Sequence, residues 1–273
     1  MIETILLATD GSEAAGSAER FAVGLASRLR ARLLGLTVIE DRILHGLRGG
    51  GHGVAPPPLE GIEGYLKSRA DACCRRVAEL ARAQGLDCAC EAVRGAPDDR
   101  IVERAQNADL LVLGRDGLGA GHRTALIGST AEAVLRKTTK PALVVPQGAE
   151  LKGPLLLAFD GSPGSRIAAK LAVELAGRLS EVVHVFVDSK DKGRAVARFD
   201  EARRLLGGLS VTVREASSTL GRPDVKIIDA AREAGASLIV MGAFGRSRIT
   251  EYFLGSNSAA VVRTSPIAVL LAR

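Results

Sequence analysis

The sequence predicts an α/β protein made of two tandem doubly wound units, each a five-stranded parallel sheet with helices on both faces. Three observations carry that prediction: a length of 273 residues, an internal repeat, and a hydrophobic period that switches between strand and helix along each copy. The length exceeds one typical domain of about 150 residues and accommodates two, each with its own core. Hydrophobic residues at 47% beside charged residues at 25% describe a globular chain and exclude global disorder or a fibrous architecture.

The repeat sets the organisation. The stretch ILLATDGSEAAGSAERFAVGLASRL near the start matches LLLAFDGSPGSRIAAKLAVELAGRL in the second half, with Asp10-Gly11-Ser12 and Asp160-Gly161-Ser162 offset by 150 residues. Further on, ADLLVLGRDG at 108–117 matches ASLIVMGAFG at 236–245, and the offset has fallen to 128. The difference of 22 residues falls between the second strand and second helix, where the first copy carries RILHGLRGGGHGVAPPPLEG. The expected units are therefore residues 1–148, with a loop insertion at about 42–64, and residues 152–273.

Element by element, short Ile/Leu/Val runs at 5–8, 33–39, 110–113 and 142–145 are too short for helices and are bounded by Gly, Asp or Pro. Amphipathic stretches at 14–30, 65–84, 101–105 and 130–137 lie between them, apolar at i, i+3 and i+4. Alternation of this kind implies right-handed crossovers and a sheet covered on both faces. Ligands of such sheets bind at the carboxyl ends of the strands, where the strand order reverses. The closing strands at 142–145 and 267–271 are the expected contact between the units, because an apolar edge invites pairing, with the two sheets remaining separate.

Charge and composition remove several functions. The net charge of +6 comes from the second half, which carries 18 Lys/Arg against 12 Asp/Glu, while residues 1–150 carry 19 of each. With no basic block, no Trp and 3% aromatics, the chain is poorly equipped for nucleic acid. No uncharged apolar run approaches the ~18 residues of a membrane span, and Glu3 and Asp10 come too early for a signal peptide, so the expected location is the cytoplasm. Cys73, Cys74, Cys88 and Cys90 lack zinc-site spacing and read as free thiols, buried in the manner of small apolar residues. His45 and His52 lie in the inserted loop without a third metal partner. His122 falls in a glycine-rich loop where it meets a phosphate or solvent, and His184 reads as a histidine inside a strand.

Two features leave the strand ends in each copy, the Asp-Gly-Ser after strand one and a glycine-rich loop after strand four. In the second copy that loop runs from Gly242 through Gly245 to Gly255-Ser256, a G-x2-G-x9-G-S pattern that opens a helix, and it carries Arg246 and Arg248. Glycines let a backbone approach a ligand, and a helix N-terminus offers unpaired N–H donors and partial positive charge, so the pattern reads as a phosphate cradle. The competing reading is that the glycines are turn residues. Walker A and G-x-G-x-x-G patterns are absent.

Asp after strand one, G-x2-G-x9-G-[S/T] after strand four and a closing Pro-x-x-Val-Val strand together resemble the universal stress protein family, in a tandem form. The resemblance covers nearly all of both copies. It implies an adenine nucleotide alpha hydrolase-like sheet of order 3-2-1-4-5, with ATP in the crevice between the first and fourth strands; Mg2+ is expected with it, because a triphosphate needs charge neutralisation beyond two arginines and a helix end. Carried over, Asp160 meets the adenosine moiety and Val185 packs by adenine. Met241, Gly242, Gly245 and Arg246 approach ribose and phosphates, and Gly255, Ser256, Asn257 and Ser258 hold the phosphates. In the first copy the matching positions are Asp10, Val38, Gly114, Gly117, Gly128, Ser129 and Thr130. Ten residues rather than nine separate Gly117 from Gly128, so strict spacing favours the second copy.

The implied function is a nonenzymatic, ATP-responsive regulator in stress response, acting on an unidentified protein partner, with the two copies associated as a pseudo-dimer. Two alternatives stay open. A slow ATPase or other nucleotide-converting enzyme requires a metal-assisted water and a base that no motif supplies. A nucleotide-free pseudo-dimeric scaffold follows if the glycine loops are only turns. Whether whole chains pair as a homodimer is open.

Overall fold

In the computed structural model, residues 1–40, 60–117, 127–207, 211–215, 222–243 and 255–273 are described. The first copy contributes β1 (Thr4–Ala8), α1 (Gly16–Leu29), β2 (Arg32–Glu40), α2 (Glu60–Ala83), β3 (Cys88–Gly95), α3 (Pro97–Ala105), β4 (Leu110–Gly114), α4 (Ser129–Lys137) and β5 (Ala142–Val145). The second contributes β6 (Leu155–Ala158), α5 (Pro163–Leu179), β7 (Val183–Val187), α6 (Lys192–Leu206), β8 (Val211–Glu215), α7 (Pro223–Glu233), β9 (Leu238–Gly242), α8 (Ser256–Thr264) and β10 (Ala268–Ala272). Every element that the hydrophobic period predicts is present, and α2 starts at Glu60, inside the stretch expected to be loop. No helix among the described residues is long and apolar enough to cross a membrane.

The sheet order is β3-β2-β1-β4-β5-β10-β9-β6-β7-β8, so each copy has the order 3-2-1-4-5. Neighbours within a copy are parallel, whereas β5 and β10 pair antiparallel, Val144 with Val269 and Leu143 with Leu270. The expected contact is therefore present, but it corrects the expectation of two separate sheets: the structure has one continuous ten-stranded sheet. The physical reason is that closing strands buried on both faces carry N–H and C=O groups that need partners, and each satisfies the other.

Two apolar layers sandwich the sheet, and both run across the seam. One gathers Phe21, Leu25, Val77, Leu175 and Phe199 under α1, α2, α5 and α6. The other gathers Ile101, Val134, Ile227 and Val261 under α3, α4, α7 and α8. The C-termini of α1 and α5 meet reciprocally: Arg28 donates to the carbonyl of Leu179 at 2.7 Å, and Arg178 donates to the carbonyl of Leu29. Since Arg28 and Arg178 are repeat equivalents, this exchange has the self-complementary character of a two-fold interface within one chain. At the far side of the seam, Arg115 donates to the carbonyl of Ser265 at 2.8 Å and Arg273 to that of Leu135. Burial pulls the Arg273 guanidinium down to about 10.

The cysteines correct a second expectation. Cys74 of α2 and Cys90 of β3 form a disulfide, with Cα atoms 5.3 Å apart, leaving Cys73 buried and Cys88 half-buried as free thiols. The bridge fits because residue 35, which pairs with Cys90 across β2 and β3, is glycine. A Cβ there would lie 2.8 Å from the Cys90 Sγ.

Candidate functional site

In the first copy, the strand ends converge on a cavity of about 740 Å³. Asp10 follows β1, and its Oδ1 accepts the Ser12 backbone N–H at 2.9 Å, so the carboxylate is oriented by its own turn. The turn requires Gly11 at φ +72°, a left-handed conformation that glycine adopts without steric cost.

Behind the turn lies a buried polar network. Thr9 Oγ1 donates to Glu19 at 2.6 Å and accepts the Gly11 N–H at 3.2 Å. Glu19 is fully buried on α1 and is paired with Arg76 of α2, whose Nε donates to it at 2.9 Å. That bond holds the Arg76 guanidinium above its ordinary pKa. Arg76 Nη1 also donates to the Gly11 carbonyl at 3.2 Å, and Arg69 donates to the Asp10 carbonyl at 3.1 Å. Between the two arginines, Cys73 packs on Thr9, and burial pushes its thiol pKa up. Residues 69, 73 and 76 thus form one face of α2 that clamps the turn.

The opposite wall comes from β4 and α4. The Gly128 N–H donates to the Arg115 carbonyl at 2.9 Å, which sets the start of α4 beside the end of β4. Gly128 has no side chain with which to cap α4, and the first turn of the helix lines the cavity with the exposed hydroxyls of Ser129 and Thr130. Gly117 comes close to the first strand: a Cβ on it would stand 3.0 Å from Asp10 Oδ2. The floor is apolar, with Leu36, Val38, Ile101 and Leu113 among its residues.

The cavity therefore brings together all seven first-copy residues singled out in the sequence: Asp10, Val38, Gly114, Gly117, Gly128, Ser129 and Thr130. Sequence reasoning missed Arg69, which also lines it, and the Glu19–Arg76 pair behind it. The available signal was the 69/73/76 helical spacing on α2.

The second copy repeats the frame with different contents. Asp160 accepts the Ser162 N–H at 2.9 Å, and Gly161 has φ +75°. The Gly255 N–H donates to the Ala243 carbonyl at 3.0 Å, as Gly128 does to Arg115. Gly242 answers a packing need, since a Cβ there would meet the Gly164 carbonyl carbon at 2.8 Å. Ser258 is buried and donates to the Gly242 carbonyl at 2.9 Å, while Ser256 and Asn257 are exposed on the first turn of α8. Met241 lies in the core. Val185 also lies in the core, because the strand register places Phe186 opposite Ala158 just as Leu36 lies opposite Ala8. The counterpart of Val38 is consequently Asp188. Gly245, Arg246 and Arg248 lie outside the described residues, as do His45, His52 and His122.

A tandem doubly wound α/β protein with a crevice at the strand ends is the class that this fold and site define. The model of the universal stress protein family matches residues 1–146 and again 153–273, and the chain belongs to that family. A universal stress protein of Mycobacterium tuberculosis is 30% identical over 207 residues, covering 67% of this chain and 68% of that one. One from Mycolicibacterium smegmatis is 30% identical over 191 residues, 63% of this chain and 64% of the relative, so this chain spans about two-thirds of the length of these curated relatives. The crystal structure of a universal stress protein from Archaeoglobus fulgidus shares the fold, with a TM-score of 0.80 at 22% identity, covering 100% of this chain and 99% of that one.

Proposed function

We propose that this chain, as two units of residues 1–148 and 152–273, is a nonenzymatic regulator in stress response that binds ATP with magnesium in the first-copy crevice. The observation that carries the reading is the cavity of about 740 Å³ in which Asp10, Val38, Gly117 and the start of α4 meet. Its apolar floor suits a purine, Asp10 offers a carboxylate for ribose hydroxyls, and the α4 N-terminus supplies N–H donors and positive potential for phosphates. The residues therefore fit the nucleotide. The magnesium of this reading would be held by the ATP phosphates, whose charge it would neutralise.

The test has two parts. Heating purified protein and resolving the supernatant by anion exchange is expected to release adenine nucleotide, and calorimetry on nucleotide-stripped protein is expected to show magnesium-dependent ATP binding. A kcat well below about 1 s⁻¹ is expected, and turnover above that rate would favour an ATPase. Protein that carries no nucleotide and gives no heat with ATP would leave the scaffold reading.

A further inference from the structure

The two crevices share a backbone frame and differ in what stands at the position of Val38. In the first copy that position is aliphatic and lines the cavity. In the second, the pairing of Leu36 with Ala8 and of Phe186 with Ala158 makes Asp188 its equivalent. Asp188 is bound to Lys226 at 3.1 Å, with only 24% and 14% of the two side chains exposed.

The surrounding elements have changed to support that pair. Pro97 and Pro223 each open their helices, so Lys226 of α7 occupies the position of Arg100 of α3. Arg100 turns to the Arg94 carbonyl and Glu103 at the exposed edge, whereas Lys226 turns inward to Asp188. A third ionic group follows. Gly11 lies over Cys73, whereas Gly161 lies beside Glu201 and Arg198, so the buried Arg198 stands near the second turn where the first has the small thiol. Arg198 Nη1 donates to the Asp188 backbone carbonyl at 3.1 Å. Phe159 replaces Thr9, and Ala169 replaces Glu19, which removes the network that holds the first-copy turn.

We propose that the two crevices are built for different chemistry: the first seats a nucleobase, and the Asp188–Lys226 pair excludes one from the second. This inference rests on the nucleotide reading above and reverses the order that glycine spacing alone gives. The physical reason is desolvation. A base placed on Val38 buries apolar surface on both sides, which is favourable. A base placed over Asp188 and Lys226 strips the remaining water from a mostly buried ion pair and supplies an apolar face in return.

Calorimetry of the nucleotide-stripped full chain with MgATP, read as stoichiometry and affinity, tests the inference. The parent is expected to bind one ATP per chain. Val38→Asp is expected to weaken that binding by about tenfold or more, since it puts a carboxylate under the base. Asp188→Val/Lys226→Met, which replaces both charges with apolar groups, is expected to raise the stoichiometry to two. Two equivalent sites in the parent would overturn the inference. So would unchanged affinity in Val38→Asp, or a double variant that folds by circular dichroism and stays at one. A parent that binds none is a distinct outcome, which overturns the nucleotide reading itself and this inference with it.

Discussion

At the scale of single residues, Gly117 has the most constrained place in the crevice. A β-carbon on it would crowd Asp10 Oδ2 at 3.0 Å, and Asp10 is not free to swing because its other oxygen holds the Ser12 N–H. Gly117→Val, with two further methyls, is expected to lower ATP affinity by about tenfold or more while leaving the far-UV spectrum unchanged. Binding equal to the parent would remove Gly117 from the site. The glycine pattern made this residue readable in the sequence, because only glycine leaves such a signature at a close approach. Val185 shows the opposite case. The apolar run VVHVFV offers several valines, and only register distinguishes a crevice position from a core one. Adding the repeat offset of 150 to Val38 lands on Asp188, so the information was present in the repeat but not in the strand's composition.

At the scale of elements, α2 governs the site through Arg69, Cys73 and Arg76, and the Cys74–Cys90 disulfide ties it to β3. The sequence separation is 16, and closing a loop of that size is worth about 3 kcal/mol in the unfolded-chain entropy model. Dithiothreitol is accordingly expected to lower the denaturation midpoint of the parent and leave that of Cys74→Ser/Cys90→Ser unmoved. Equal midpoints with and without reductant would contradict this. The bridge was not legible beforehand, since it depends on the rotation of α2 against β3, and clustered cysteines in an ordinary α/β sequence read as buried free thiols. A second clamp sits at the start of β1, where Asp109 accepts the Glu3 and Thr4 N–H groups at 2.9 Å each. Burial opposes ionisation of this carboxyl, but the two N–H bonds and the nearby N-terminal and Lys140 charges outweigh it and hold its pKa below the ordinary carboxylate range. The folded pKa lies below the unfolded one, so the stabilisation is present above about pH 4 and is lost as the pH falls through the folded value. Denaturant titrations of parent and Asp109→Asn between neutral pH and pH 3 are expected to differ most near neutrality and to converge in acid. A constant difference would show that ionisation of Asp109 is not the cause.

At the scale of the molecule, the antiparallel β5–β10 seam joins two sheets into one, and both apolar layers cross it. The repeat made the two units and their edge contact legible. Fusion of the sheets was not, because antiparallel pairing of two closing strands depends on how the units turn relative to each other. With shared cores and the reciprocal Arg28 and Arg178 bonds, the two halves are expected to unfold in one cooperative calorimetric transition whose van't Hoff and calorimetric enthalpies agree. Two resolved transitions would show that the seam does not couple them. Leu270→Ala, which empties a fully buried position on β10, is expected to cost about 3 kcal/mol and to lower that single midpoint without splitting it.

Occupancy of the first-copy crevice by nucleotide is tested most directly by photolabelling the full chain with an azido-adenine analogue of ATP and mapping the modified peptides by mass spectrometry. The floor residues Leu36 and Val38 with the clamp residue Arg69 define the expected contact. The predicted result is label on peptides from β2 and α2 of the first copy, suppressed by excess MgATP, with the equivalent peptide around Asp188 unlabelled. Label confined to the second copy, or label that ATP does not suppress, would contradict it.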